Sequence, residues 1–301
     1  MKKVLSINYS QSGQLDQILT NFLLPFSGCD IDIVKFEPAV KYPFPWSSES
    51  FFEVMPDTVL ENPIELAPYN LKHEKYDLII IGYQPWFLSP SLPIISLLKQ
   101  ERFRAVLKDT PVVTVIGARN MWLNSQDSIV REISDAGGVM VGNVPFIDKV
   151  QNHISALTIL HWMSTGTKTR RWGFLPLPGV SERDISEGGK FGKPVADALN
   201  SGDFSGLQEK ILAVGGIHIQ ASIMLIEARA KKFFKVWANL ITTKGDTPAK
   251  RAKWVKRFEW YLVIALFVVS PPILVINFIL RPVFWSNIKK SRQRWLYLGI
   301  K

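Results

Sequence analysis

Six residues near the amino terminus, Ser10-Gln11-Ser12-Gly13-Gln14-Leu15, have the types and spacing to hold a phosphate. Ser10 and Ser12 offer hydroxyl donors, and Gly13 lets the backbone approach a ligand closely. An apolar, β-prone run, Val4 to Tyr9, precedes them; Leu15, Ile18, Leu19 and Phe22 follow at helical spacing. A strand, a tight hydroxyl-rich loop and a helix N-terminus together form an anion cradle, because the loop amides and the helix dipole both present positive ends. No Gly-Lys-Ser/Thr follows, and the Gly-x-Gly-x-x-Gly pattern is missing, so the loop is neither a Walker loop nor a dinucleotide fingerprint. A monophosphate held by hydroxyls suits FMN.

Two further loops carry candidate chemistry. Gln84-Pro85-Trp86-Phe87 follows the apolar run Asp77 to Gly82, and a flavin ring needs flat aromatic neighbours such as Tyr83, Trp86 and Phe87. Gly117-Ala118-Arg119-Asn120 follows a second apolar run, where Gly117 permits close approach and Arg119 and Asn120 can bind a carbonyl edge or an acidic substrate. Catalytic candidates are Arg119 and His153, the latter as a general base. His73, His153, His161 and His218 lack mutual metal spacing, so no metal site is expected. Asp148 either shapes the site or caps the helix that follows.

These loops require a scaffold of alternating strands and helices. Strands are expected at 4–9, 31–36, 77–82, 111–117 and 138–143, and helices at 13–24, 90–100, 125–136 and 150–164. That alternation predicts an α/β, flavodoxin-like five-stranded parallel sheet of order 2-1-3-4-5, with ligands at the C-terminal strand edges. The expected organisation is a domain at 1–165 with a Pro- and aromatic-rich insertion at 37–70, a loop-rich connector at 166–205 and a basic helical region at 206–257. A hydrophobic membrane segment at 258–285 and a basic tail at 286–301 complete it.

The chain has 301 residues and a formal net charge of +10. From Arg229 onward, 16 Lys/Arg face two acids, whereas residues 1–228 are mildly acidic. No nucleic-acid motif accompanies this charge, so an anionic membrane surface is the expected partner rather than nucleic acid. Trp260 to Leu280 is free of formal charge and reaches membrane-spanning length, with Phe258, Trp260, Tyr261, Phe284 and Trp285 at its edges. Ser270-Pro271-Pro272 in its middle predicts a break or kink, and two half-helices re-entering one leaflet are preferred slightly over a single span. A single cysteine, Cys29, excludes an intramolecular disulfide. The apolar run after Met1-Lys2-Lys3 is too short for a signal peptide, which places the body at the cytoplasmic face of the inner membrane.

Ser10 to Leu15 resembles the flavodoxin phosphate loop, with Leu15 in place of the final Thr. Pro85-Trp86-Phe87, with Pro93 beyond, is similar to the flavin-stacking loop of NAD(P)H-dependent FMN reductases and quinone reductases. The whole chain more narrowly resembles the flavodoxin-like proteins of bacterial dialkylresorcinol and flexirubin-type pigment clusters, known as dialkylresorcinol condensing enzymes. Val4 to Leu15, Gly138-Val-Met-Val-Gly-Asn143 and Asp148 prompt that comparison. The resemblance implies FMN as cofactor, NAD(P)H as candidate reductant and a homodimer. It also implies an aromatase step, oxidising a lipophilic alkylated cyclohexanedione to a dialkylresorcinol. Two alternatives stay open at this point: a membrane-bound NAD(P)H:quinone reductase, and a non-catalytic scaffold for ketosynthase or acyl carrier partners.

Overall fold

The computed structural model describes residues 1–280 and 285–297; Phe284 and the last four residues of the basic tail lie outside that range. Five strands, β1 (Lys3–Asn8), β2 (Asp30–Lys35), β3 (Leu78–Tyr83), β4 (Pro111–Ala118) and β5 (Val139–Ile147), form one parallel sheet. Its spatial order is β2-β1-β3-β4-β5. Side chains alternate across the strands and feed two cores. Leu5, Ile7, Ile79 and Ile81 face α4 (Leu92–Lys99), α5 (Glu101–Leu107) and α6 (Leu123–Asp135). Val4, Leu78, Ile80, Val113 and Val115 face α1 (Gln14–Phe22), α9 (Gly188–Ser201) and α10 (Leu207–Ala213). Both faces of β3 are sealed, which is why its sequence is apolar throughout rather than alternating.

The stretch 172–205, expected to be loop, contains α8 (Glu182–Ser186) and α9. Gly173, Gly179 and Gly202 take left-handed turn conformations, whereas Gly188 and Gly192 serve packing. A Cβ at Gly192 would overlap the Phe22 carbonyl, so α9 lies against the end of α1 at a distance only glycine permits.

The 37–70 insertion folds into two short helices, α2 (Ser48–Glu53) and α3 (Met55–Leu60). Against them pack α11 (Ala221–Lys244) and α12 (Pro248–Ile264), burying Phe52, Met55, Phe234, Ala238, Ile241 and Phe258 in a third cluster. Arg251 of α12 pairs with Glu53 and, at 3.1 Å, with Asp57.

The helix break expected at Ser270-Pro271-Pro272 does not form. A π-helical turn, Ala265–Val269, joins α12 directly to α13 (Ser270–Leu280). The Ser270 N–H reaches back to the Ala265 carbonyl, and its hydroxyl donates to the Leu266 carbonyl at 2.8 Å. This widened turn relieves the clash that a proline ring makes with the preceding turn. The resulting helix is long and apolar enough, by length and composition, to cross a membrane over Pro248–Ile276. Helix α14 (Trp285–Leu296) nevertheless returns to the body. Its Ile288 and Trp295 are buried, Arg294 bonds Asp127 at 3.1 Å, and Gln208 donates to the Leu296 carbonyl at 2.9 Å.

Candidate functional site

The three predicted loops converge at the C-terminal edge of the sheet. Gln11, Ser12, Gln14, Leu15, Gln84, Pro85, Trp86, Phe87, Gly117, Ala118 and Arg119 line one cavity of about 220 Å³, together with Phe51, Ile159, Trp162 and Gly179. Gly13, at φ 78°, turns the chain into α1, and nothing lies within 4 Å of the space a Cβ would take there. The Ser10 hydroxyl is buried and, among the described residues, without a hydrogen-bond partner. An orphaned buried hydroxyl beside a left-handed glycine at a helix N-terminus fits a phosphate.

Leu15 does not behave as a loop ligand. It is buried in the core, because the first turn of α1 rotates it under Gly117. Gln14 is committed elsewhere: its amide donates to the Val180 carbonyl at 3.1 Å and accepts from the Val180 N–H at 3.0 Å. It therefore staples the 172–181 segment over the loop. Gln11 donates to the Pro43 carbonyl at 2.9 Å and accepts from the Tyr9 hydroxyl, tying the loop to the insertion.

In the second loop, the Gln84 amide oxygen accepts from the Trp86 indole N–H at 3.3 Å and from the Gln11 N–H at 3.2 Å once the amide faces its donors. Trp86 is wedged edge-on among Tyr9, Tyr42 and Trp46, with ring centroids 5.2–6.2 Å apart. It is thus a buttress as much as a stacking face. Tyr83, expected as a third face, is fully buried and donates to Gln126 at 2.6 Å, because β3 alternation turns it away. Phe87 and Leu88 sit at φ 46° and 64°, a conformation costly for side-chain-bearing residues. This turn presents Phe87 to the cavity, 4.8 Å from Phe51 between ring centroids.

In the third loop, Arg119 donates from one nitrogen to the Asn152 backbone oxygen at 2.9 Å and side-chain oxygen at 2.8 Å. Among the described residues no carboxylate lies within 4 Å of it. Burial lowers its pKa to about 10, against the pull of the more distant Asp148 and Glu227. Asn120 stands behind the site, donating to Asn152 at 3.0 Å, and does not line the cavity. Asp148 accepts from Ser155 at 2.6 Å and from the Val150 N–H at 2.9 Å, and so shapes the turn into α7 (Asn152–Thr165). Gln151, not Asp148, caps that helix.

His153 points away. Its Nε2 meets the Ser270 hydroxyl at 2.9 Å and its ring lies near Phe267, on the outer face of α7 against the C-terminal helix. It lines neither cavity itself, although its partner Ser270 lines the second. Among the described residues, no group of three metal-ligating side chains forms.

A second cavity, of about 350 Å³, adjoins the first; Phe51, Pro85, Phe87, Arg119 and Ile159 form their common wall. Its remaining lining comes largely from α11 (Ile226, Ala230, Phe233, Phe234) and from Tyr261 to Ile273. Sequence reasoning read this region as a connector and an anchor. The i, i+4, i+7 and i+8 spacing of Ile226, Ala230, Phe233 and Phe234 was the available signal for an inward face.

The strand order, with the hydroxyl loop at the C-terminal edge of the first strand, defines a flavodoxin-like α/β protein. No protein-family model matches the chain, and no curated protein sequence matches it. Solved structures similar to it include a flavoprotein in complex with FMN from Lactobacillus acidophilus NCFM (19% identity, 48% of this chain and 93% of that one, TM-score 0.39). Others are a flavoprotein from Bacteroides eggerthii (17%, 48% and 88%, 0.38) and a flavodoxin from the domain Archaea (12%, 66% and 99%, 0.34).

Proposed function

We propose that this chain is an FMN-dependent oxidoreductase acting on a lipophilic ring compound at a membrane surface. The observation that carries this reading is the junction of the two cavities. A cleft that begins at the hydroxyl loop and a larger apolar chamber share a wall at Phe87 and Arg119, and the long apolar helix lines the chamber. The Ser10 and Ser12 hydroxyls, the loop amides and the α1 dipole would hold the phosphate. Phe87 and Phe51 would flank the ring system, and Arg119 would reach its carbonyl edge. Bound flavin supplies two-electron chemistry; the protein supplies orientation and a dry site.

Within that class we favour oxidation of an alkylated cyclohexanedione to a dialkylresorcinol. Bound FMN would supply the two-electron oxidation, in which the ring would lose two hydrogens, one as a hydride equivalent and one as a proton, and aromatise. Membrane attachment is supported by the exposed outer face of the apolar helix at Val263, Ile264, Val268 and Ile276. Because α14 docks back onto the body, attachment to one leaflet is favoured over crossing.

The test is an absorbance spectrum of protein purified in mild detergent, with FMN added if it is colourless. Stoichiometric flavin supports the reading, and failure to bind FMN overturns it. Rapid reduction by NADPH followed by quinone turnover would replace the aromatase step with quinone reduction.

A further inference from the structure

The second cavity is largely apolar; besides Arg229, Tyr261 and Ser270 in its wall, its polar residues are Arg119 and Asn152, which form its inner end. There Arg119 and Asn152 stand together, the guanidinium without a carboxylate within 4 Å among the described residues. Asn152 is only 7% exposed, and its side-chain oxygen is committed to Arg119 and Asn120. Its Nδ2 has no partner among the described residues. Two donors, one charged and one orphaned, therefore stand together at the end of a mostly apolar space. Buried donors of this kind lose hydration without replacement unless an acceptor arrives.

The outer end of the cavity looks different. Phe233 of α11 and Val269 of the π turn line it, yet are 56% and 45% exposed. The mouth thus opens beside the exposed apolar face of the α12–α13 helix. A molecule entering there brings an alkyl chain, and one satisfying the far end brings an oxyanion.

We propose that this cavity binds an amphiphile whose oxyanion is held by Arg119 and Asn152 and whose alkyl chain runs out between α11 and α13. As a substrate site it rests on the redox reading above; as a ligand site it stands without it. Arg119 belongs to both cavities and Asn152 to the second alone, so the pair sets the oxyanion against the wall shared with the cofactor cleft.

The test is equilibrium dialysis of radiolabelled dodecanoate against the full chain held in amphipol, so that no alkyl detergent competes. One saturable site is expected, with dodecanol at least about tenfold weaker, and Arg119→Met weakening dodecanoate by about tenfold or more. Ala230→Phe, which fills the chamber from α11, abolishes saturable binding of both probes while near-ultraviolet circular dichroism stays native. Equal binding of dodecanoate and dodecanol, or binding unaltered by Arg119→Met or by Ala230→Phe, overturns the proposal. An FMN fluorescence titration on the same samples separates the two readings. FMN binding without dodecanoate binding defeats this inference alone, and the reverse result defeats the redox reading while leaving the ligand site.

Discussion

Replacing Glu227 with glutamine flattens the pH dependence of stability. Glu227 lies on α11, 1% exposed, and its Oε1 accepts the Asn124 N–H in the first turn of α6 at 2.8 Å. Its other oxygen has no partner. Burial lifts its pKa from 4.5 to about 8; the Asn124 N–H and Lys231 oppose that rise, and Asp127 adds to it. A carboxyl whose folded pKa is raised favours folding fully below pH 4.5, and that contribution is lost as pH rises toward about 8. Each pH unit in this window removes about 1.4 kcal/mol, so roughly 3 kcal/mol is lost between pH 5.5 and 8. Glutamine keeps the acceptor for Asn124 and cannot ionise. Urea unfolding followed by tryptophan fluorescence at pH 5.5, 7 and 8.5 reads the effect. The wild-type curve declines with pH more steeply than Glu227→Gln, and the two converge near pH 5. Parallel curves would refute the reasoning, since they would mean that the buried carboxyl titrates as it does in water.

Three further outcomes follow from the geometry. Gly192→Leu drives a side chain into the Phe22 carbonyl and costs about 3 kcal/mol, seen as a lowered urea midpoint with an unchanged slope. Gly13→Val forces a β-branched residue to φ 78° at the helix start, and FMN affinity in a fluorescence titration falls at least about tenfold while the core stays intact. Gln14→Ala removes both bonds to Val180, so protease cleavage within 172–181 quickens several-fold at unchanged sheet stability.

The sheet was legible because its strands are continuous apolar runs ended by glycine or small residues. Val4 to Asn8, Leu78 to Gly82 and Pro111 to Gly117 left few other structures open. The three loops were legible because they follow such strands. Tyr83 was misread because a residue's identity does not say which way the strand pleat turns it. His153 is turned toward Ser270 of the C-terminal helix rather than into the first cleft, which its residue type does not announce. The glycines at 188, 189 and 192 mark turns in most sequences; here they mark close packing on α1, which no local pattern reveals. The proline pair misled because a π turn, set by backbone geometry over five residues, absorbs it. The second cavity was hidden because its walls come from segments about 100 residues apart in the chain, Arg119 and Ile226 among them.

The packing of the later helices also decides where this chain can be cut. Gly142 of β5 lies against Ile211 of α10, Leu207 and Ile211 belong to the same core as Val113 and Val115, and Ile288 and Trp295 belong to the core on the opposite face. A fragment ending at residue 165 would have all five strands and would still leave an edge strand bare to water on the α10 side. Its apolar surface would recruit other copies of itself, so a shortened, detergent-free version trades lipid affinity for aggregation. The helices that follow the sheet are part of its folding unit, because α10 and α14 keep its two sides dry.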